Sequence, residues 1–123
     1  AIQFGAQGAL KAEVKAKEDG FELLITMREG WHINANDPGD KRLIATEVSG
    51  NGIYGVHYPE SNPLDVQFSK QPIAVYSGEI KISGRQQEMN TLLPPRLSFA
   101  FQACSDRICL PPEKLVLQIP ATH

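Results

Sequence analysis

The sequence predicts an all-β protein, built as an antiparallel β-sandwich. Three observations predict this class: short segments alternate between apolar and polar residues, turn-forming residues recur about every 8–12 positions, and no segment shows a convincing helical period. The chain has 123 residues, of which 41% are hydrophobic and 21% are charged. These values are ordinary for a globular protein of one domain, so we expect a single domain over residues 1–123.

The first two strands form a predicted hairpin. Residues 10–17 alternate between small apolar side chains and charged ones, most of them lysine, as a half-buried strand does. Residues 18–20, Glu-Asp-Gly, are a turn signal, and apolar side chains then recur at every second position from Phe21 to Met27. We therefore expect two antiparallel strands joined by a tight turn.

The middle of the chain predicts shorter strands and two loops. Residues 31–34 have an extended pattern, and the Asn, Asp, Pro and Gly residues of 36–40 indicate a loop. Residues 43–48 and 53–58 are strand candidates on either side of a Gly-containing turn. Residues 59–72 are polar and include three prolines. This segment is too long for a hairpin turn, and loops of such length in a compact domain are often functional.

Three further strands complete the predicted sandwich. Residues 75–83 alternate as one run, and the side chains from Leu97 to Ala103 alternate up to the first cysteine. Pro111 and Pro112 block regular pairing, after which residues 115–119 form a last strand. Because the cysteines are too close in sequence for an immunoglobulin inter-sheet bridge, the predicted likeness to that fold is one of architecture only.

Charge and hydropathy exclude two classes of partner. The formal net charge is −2, and no more than two Lys or Arg residues are adjacent, so a nucleic-acid partner is not expected. The apolar runs are a few residues long, far short of a membrane span. The chemistry of the protein must therefore be sought in individual residues.

The two cysteines, Cys104 and Cys109, are the feature with the most chemical content. A disulfide between them would close a loop of six residues, and such a short loop stabilises the fold by only about 2 kcal/mol. A chain of this length buries enough surface to fold without a disulfide. We therefore interpret the pair as a redox-active dithiol in which both sulfurs lie near the surface.

Other interpretations of the pair stay open. A structural disulfide could shape a recognition loop in a non-enzymatic, immunoglobulin-like binding module. Free thiols are a further alternative, although inert buried cysteines are rarely flanked by polar residues. A zinc site would need more ligands at characteristic spacings, which His32, His57 and His123 do not show. A metal-handling domain in which the two thiols bind Cu(I) is the last alternative, although no methionine or histidine cluster supports it.

The residues between the cysteines do not fix their reactivity. Arg107 would favour a thiolate and Asp106 would oppose it. A solvated loop tip is the simpler interpretation of this pair of charges.

Four segments resemble one protein family. They are residues 101–112 (FQACSDRICLPP), 30–34 (GWHIN), 57–60 (HYPE) and 75–80 (VYSGEI). The first resembles the active-site region of the N-terminal periplasmic domain of the thiol:disulfide interchange protein DsbD. The similarity runs from about residue 8 to residue 119.

The resemblance implies an immunoglobulin-like sandwich and an enzymatic role, that of a periplasmic protein-disulfide reductase domain. In the family, this domain receives electrons from the thioredoxin-like C-terminal domain of the same membrane protein. It passes them to oxidised periplasmic partners, such as a disulfide isomerase or a cytochrome c maturation thioredoxin. We expect no cofactor and no metal, and contact with the membrane only through a transmembrane domain outside this sequence.

The resemblance also implies roles for individual residues. Cys109 would form mixed disulfides with partners, and Cys104 would resolve them. In the family, a loop with an aromatic residue shields the disulfide, and Phe68 is the corresponding candidate here. The residues expected to border the site are Trp31, His32, Asn34, Phe68, Asp106 and Arg107.

Overall fold

The computed structural model describes residues 2–87 and 93–121, and these residues form strands, turns and loops. The strands are β1 (Ile2–Gly5), β2 (Leu10–Lys17), β3 (Gly20–Met27), β4 (His32–Asn34), β5 (Glu47–Ser49), β6 (Ile53–His57), β7 (Asn62–Leu64), β8 (Ile73–Ser77), β9 (Glu79–Gln86), β10 (Arg96–Phe101), β11 (Ala103–Cys104) and β12 (Glu113–Gln118). One turn of 3-10 helix, Ala6–Gly8, is the only helical element in these two ranges.

The strands form three antiparallel sheets. Five strands are ordered β1-β2-β3-β9-β6, three are ordered β12-β10-β5, and four are ordered β11-β4-β8-β7. The chain passes from β10 to β11 across Gln102 alone, so the three-stranded and four-stranded sheets follow one another directly. The predicted all-β, antiparallel class is therefore confirmed.

A single apolar core receives side chains from all three sheets. Leu23, Ile33 and Phe99 come from different sheets and are fully buried in it. The rings of Phe99 and Phe101 stack with their centroids 4.6 Å apart. Because side chains of a strand alternate between its two faces, the alternation from Leu97 to Ala103 directs every second residue into this core.

The first strand of the first hairpin has the predicted boundaries. Strand β2 pairs with β3 from Leu10↔Met27 to Lys17↔Gly20. Gly20 is required there because a Cβ at this position would collide with the carbonyl oxygen of Gly84 on the neighbouring strand β9. The turn residue of the sequence motif is therefore also a point of close backbone approach.

The predicted strand over residues 75–83 is wrong in one respect, because the run is divided between two sheets. Strand β8 ends at Ser77 and pairs with β4, whereas β9 begins at Glu79 and pairs with β3. Gly78 between them has a φ of 69°, which a residue with a side chain rarely adopts. Alternation continues on both sides of this glycine, so the change of sheet leaves no mark on the periodicity.

Two other segments differ from their predicted boundaries. In the candidate strand 43–48, only Glu47 and Val48 join a sheet, as part of β5. The predicted loop 59–72 contains the short strand β7, which pairs with β8 at the edge of its sheet. Pro63 is tolerated in β7 because an edge strand needs hydrogen bonds on one side only.

The turn after β1 is connected to the start of β12. Ala6 and Gln7 have positive φ values of 52° and 55°. The backbone N–H of Ala6 donates to both carboxylate oxygens of Glu113, at 3.1 and 3.0 Å. A buried backbone donor is thereby satisfied, and the N-terminal strand is fixed beside the strand that follows the cysteine segment.

In the described part of the chain, no helix has the length and apolar character to span a bilayer.

Candidate redox site

Cys104 and Cys109 form a disulfide across a short hairpin. The sulfurs are 2.11 Å apart and the Cα atoms 4.0 Å apart. Leu110 N–H donates to the carbonyl of Ala103 at 2.9 Å, and Ser105 N–H donates to that of Ile108 at 2.7 Å. The cysteines lie directly opposite each other between these two bonds, and side chains are closest at such non-hydrogen-bonded positions. The hairpin therefore holds the two sulfurs within bonding reach.

Ser105 closes the turn of this hairpin. Its Oγ accepts hydrogen bonds from the backbone N–H groups of Arg107 and Ile108, both at 3.2 Å. Ser105 is not among the predicted site residues. A signal was present, because serine at the start of a tight turn commonly bonds the backbone two or three residues ahead.

The two cysteines differ in exposure. Cys104 is only 6% exposed, whereas Cys109 is exposed to solvent. The prediction that both sulfurs lie near the surface is therefore wrong for Cys104. The reason is its position in the sheet, because β11 has the Cys109 segment on one side and β4 on the other.

The two charged residues of the turn are solvated. Asp106 and Arg107 are both exposed, and within residues 2–87 and 93–121 neither makes an ion pair. Their charges therefore act on the sulfurs mainly through water, which weakens their influence.

His32 is the cross-strand neighbour of Cys104. The register pairs Cys104 with His32, and His32 with Ser77 on β8. Directly opposed residues of a sheet point to the same face with Cβ atoms about 5 Å apart. Burial of the half-buried imidazole lowers the pKa of His32 below its ordinary value. His32 is therefore neutral at neutral pH and stands beside the buried cysteine.

Trp31 and Asn34, the other predicted site residues near His32, are held by contacts away from the disulfide. Trp31 is partly buried and packs against the main core. Asn34 is 1% exposed, its side-chain amide donates to the carbonyl of Ile44 at 2.9 Å, and its own carbonyl accepts from the hydroxyl of Thr46 at 2.6 Å. These bonds attach the loop after β4 to the sheet, so Asn34 supports the site's framework.

Phe68, the candidate cap, is 53% exposed. The guanidinium carbon of Arg42 lies 5.6 Å from its ring centroid, and Arg42 Nη2 donates to the Phe68 carbonyl at 3.4 Å. Arg42 in turn donates to both carboxylate oxygens of Asp40, at 3.0 and 2.6 Å. No local sequence signal identifies Arg42, because its contact with Phe68 depends on the folded chain. The shielding of the disulfide by Phe68 stays a prediction.

Replacing Arg42 with alanine should raise the pKa of Asp40. The Arg42 side chain and backbone N–H hold the pKa of this carboxyl at about 2, below its ordinary 3.8. The variant keeps the backbone donor, so we expect a partial return toward the ordinary value. Carboxyl NMR titration would measure it, with Arg107→Ala as the matched control. An Asp40 midpoint unchanged in the Arg42 variant would contradict the contact.

The two described histidines, His32 and His57, do not belong to a metal centre. Among the described residues, no group of three or more His, Cys, Asp or Glu side chains could hold a metal ion. His57 is exposed at the end of β6, in the five-stranded sheet. His123 lies outside the described residues.

A β-sandwich carrying a short-range disulfide between a buried and an exposed cysteine is typical of one class, that of thiol–disulfide exchange domains. The family described as "Thiol:disulfide interchange protein DsbD, N-terminal" matches residues 4–120. The chain belongs to this family, as the four sequence segments predicted.

Solved structures confirm the immunoglobulin-like fold of the family for this chain. The reduced N-terminal domain of Neisseria meningitidis DsbD has a TM-score of 0.74 at 14% identity, covering 98% of this chain and 91% of its own. The same domain in complex with the PilB N-terminal domain from that organism has a TM-score of 0.70 at 14% identity, and the match covers 97% of this chain and 88% of the solved one. The N-terminal periplasmic domain of Proteus mirabilis ScsB has a TM-score of 0.62 at 16% identity, and the match covers 97% of this chain and 50% of the solved one. Among curated protein sequences, none matches this chain.

Proposed function

We propose that this domain is a periplasmic electron relay that reduces disulfides of partner proteins through the Cys104–Cys109 couple. In each turnover, the reduced pair gives two electrons and two protons to a partner disulfide and becomes oxidised. A thioredoxin-like domain of the same transporter then returns the pair to the dithiol form.

The observation that carries this proposal is the unequal exposure of the two cysteine residues. Exchange requires one accessible sulfur to attack the partner and a second one within reach to displace it. Cys109 is exposed and suits the first role, while Cys104 is buried directly opposite it and suits the second.

The relatives support the choice of partners. The Neisseria meningitidis DsbD domain has been solved in complex with a domain of another protein, PilB, and the ScsB domain is periplasmic. We infer that oxidised periplasmic proteins accept the electrons here, with a disulfide isomerase and a cytochrome c maturation thioredoxin as the candidates.

The reduction potential of the Cys104–Cys109 bond tests the proposal. We expect a value between about −120 and −270 mV, the range of proteins that exchange disulfides. The domain would be equilibrated against defined thiol buffers, and the reduced fraction measured by alkylation and intact mass.

A different value would favour the rival function. A potential below about −300 mV is typical of structural disulfides and would favour a non-enzymatic binding module with a recognition loop. In that case, partner binding should survive replacement of both cysteines with alanine. A relay predicts instead that covalent capture is lost in the double variant.

A further inference from the structure

Three groups stand in one row across the four-stranded sheet. Cys109 faces Cys104, Cys104 faces His32, and each pair lies on neighbouring antiparallel segments. The buried sulfur therefore has its redox partner on one side and an imidazole on the other. The next residues along these strands, Ala103 and Ile33, point the opposite way into the core.

Cys104 must lose its thiol proton before it can displace a partner from the mixed disulfide. Only a thiolate attacks a disulfide sulfur, so the thiol must first lose its proton. A buried thiol ionises less readily than one in water, and Cys104 is 6% exposed. The exposed turn residues do not meet this demand, because Asp106 and Arg107 are solvated at the tip of the hairpin. A proton acceptor inside the sheet would meet it.

We propose that His32 is this acceptor, taking the proton from the Cys104 thiol as its sulfur displaces a partner from Cys109. This role rests on the proposed exchange function and adds a proton-transfer residue to it. Sequence similarity placed His32 only at the border of the site.

The step balances in atoms and electrons. The Cys104 sulfur attacks the Cys109 sulfur of the mixed disulfide, the bond between Cys109 and the partner breaks, and the Cys104–Cys109 bond forms. The proton passes from Cys104 to His32 and then to the departing partner sulfur, which leaves as a thiol. The cysteine pair is oxidised by two electrons, and the partner is reduced by two.

The surroundings of His32 suit proton transfer. Its imidazole makes no hydrogen bond or ion pair within residues 2–87 and 93–121, so a nitrogen is free to accept. Burial alone lowers its pKa, which keeps the ring neutral before the step. Ser77, on its other side, carries no charge that would oppose this state.

Oxidised glutathione separates the two steps of exchange. Reduced protein attacks it through Cys109 to give a glutathione mixed disulfide, and Cys104 then releases glutathione. Acid quenching and intact mass distinguish the reduced, mixed-disulfide and internally bonded forms at each time. In His32→Gln, we expect the first step to keep its rate and the second to slow by about 100-fold or more.

Two controls isolate the proton transfer. His57→Gln removes an exposed imidazole in the five-stranded sheet and should leave both steps unchanged. His32→Ala should slow the second step, and added imidazole should restore part of its rate while leaving the native protein unaffected. Rescue by a free base is not expected for a residue that only supports the fold.

The possible results separate the two proposals. An unchanged second step in His32→Gln, or a slowed step in His32→Ala that imidazole does not restore, would overturn the role of His32 while leaving exchange intact. If oxidised glutathione converts the reduced native protein to neither the mixed disulfide nor the internally bonded form, the proposed function is overturned, and the role of His32 with it.

Discussion

Replacing Cys109 with serine should abolish covalent capture of a disulfide-containing partner, whereas replacing Cys104 with serine should make the captured complex accumulate. Cys109 is the exposed cysteine and is accessible to a partner. Cys104 is buried, and without it the mixed disulfide has no neighbouring thiol to displace the partner. We expect the two single variants to differ at least about tenfold in trapped complex, because access to the attacking sulfur limits exchange.

A disulfide-linked dimer of a biotinylated peptide with one cysteine provides the partner in this experiment. Each variant would be incubated with it, quenched with acid and examined on a non-reducing gel. Alkylation after denaturation verifies that the remaining thiol is intact in each variant. Equal trapping by Cys104→Ser and Cys109→Ser would contradict the assigned roles.

Replacing Phe101 with alanine should lower the free energy of unfolding by about 3–5 kcal/mol. Phe101 is fully buried and stacks on Phe99, so the variant loses apolar contacts and leaves a cavity. Its ring also fills the space above Gly5, where an added Cβ would approach Phe101 Cζ to 2.8 Å. Because domains of this size are stable by only about 5–15 kcal/mol, the loss is a large part of the total.

Phe4→Ala is the matched control, since this phenylalanine is 64% exposed and its removal should cost less than about 1 kcal/mol. Urea unfolding of native protein and variants gives the comparison from the shift of the midpoint at constant slope. A loss below about 1 kcal/mol for Phe101→Ala would contradict its placement in the core.

The predictable part of the fold is the part that depends on alternation and local turns. The strand over residues 10–17 was predicted with the observed boundaries, because every second side chain enters one core. The predicted turn of Glu18, Asp19 and Gly20 is shorter by one residue in the structure, since Gly20 begins β3. The division at Gly78 was missed since both strands alternate in the same phase while pairing with different neighbours. Pairing partners depend on tertiary structure, which a periodicity does not contain.

The candidate site also has a part that the sequence predicts and a part that depends on the folded chain. The spacing of Cys104 and Cys109 indicated a short-range disulfide, and a hairpin brings them together. The burial of Cys104 was not predictable, because it depends on β4 lying alongside. The contact between Arg42 and Phe68 joins two loops, and only the folded chain brings such loops into contact.

The short span of the cysteine hairpin has a thermodynamic consequence. Folding and disulfide formation make up a closed cycle of four states, so whatever the bond adds to stability must also appear in its reduction potential. A bridge with a sequence separation of 5 constrains the unfolded chain little, and the coupling between the two equilibria is about 2 kcal/mol. Opening or closing this disulfide therefore changes the free energy of unfolding by only about 2 kcal/mol.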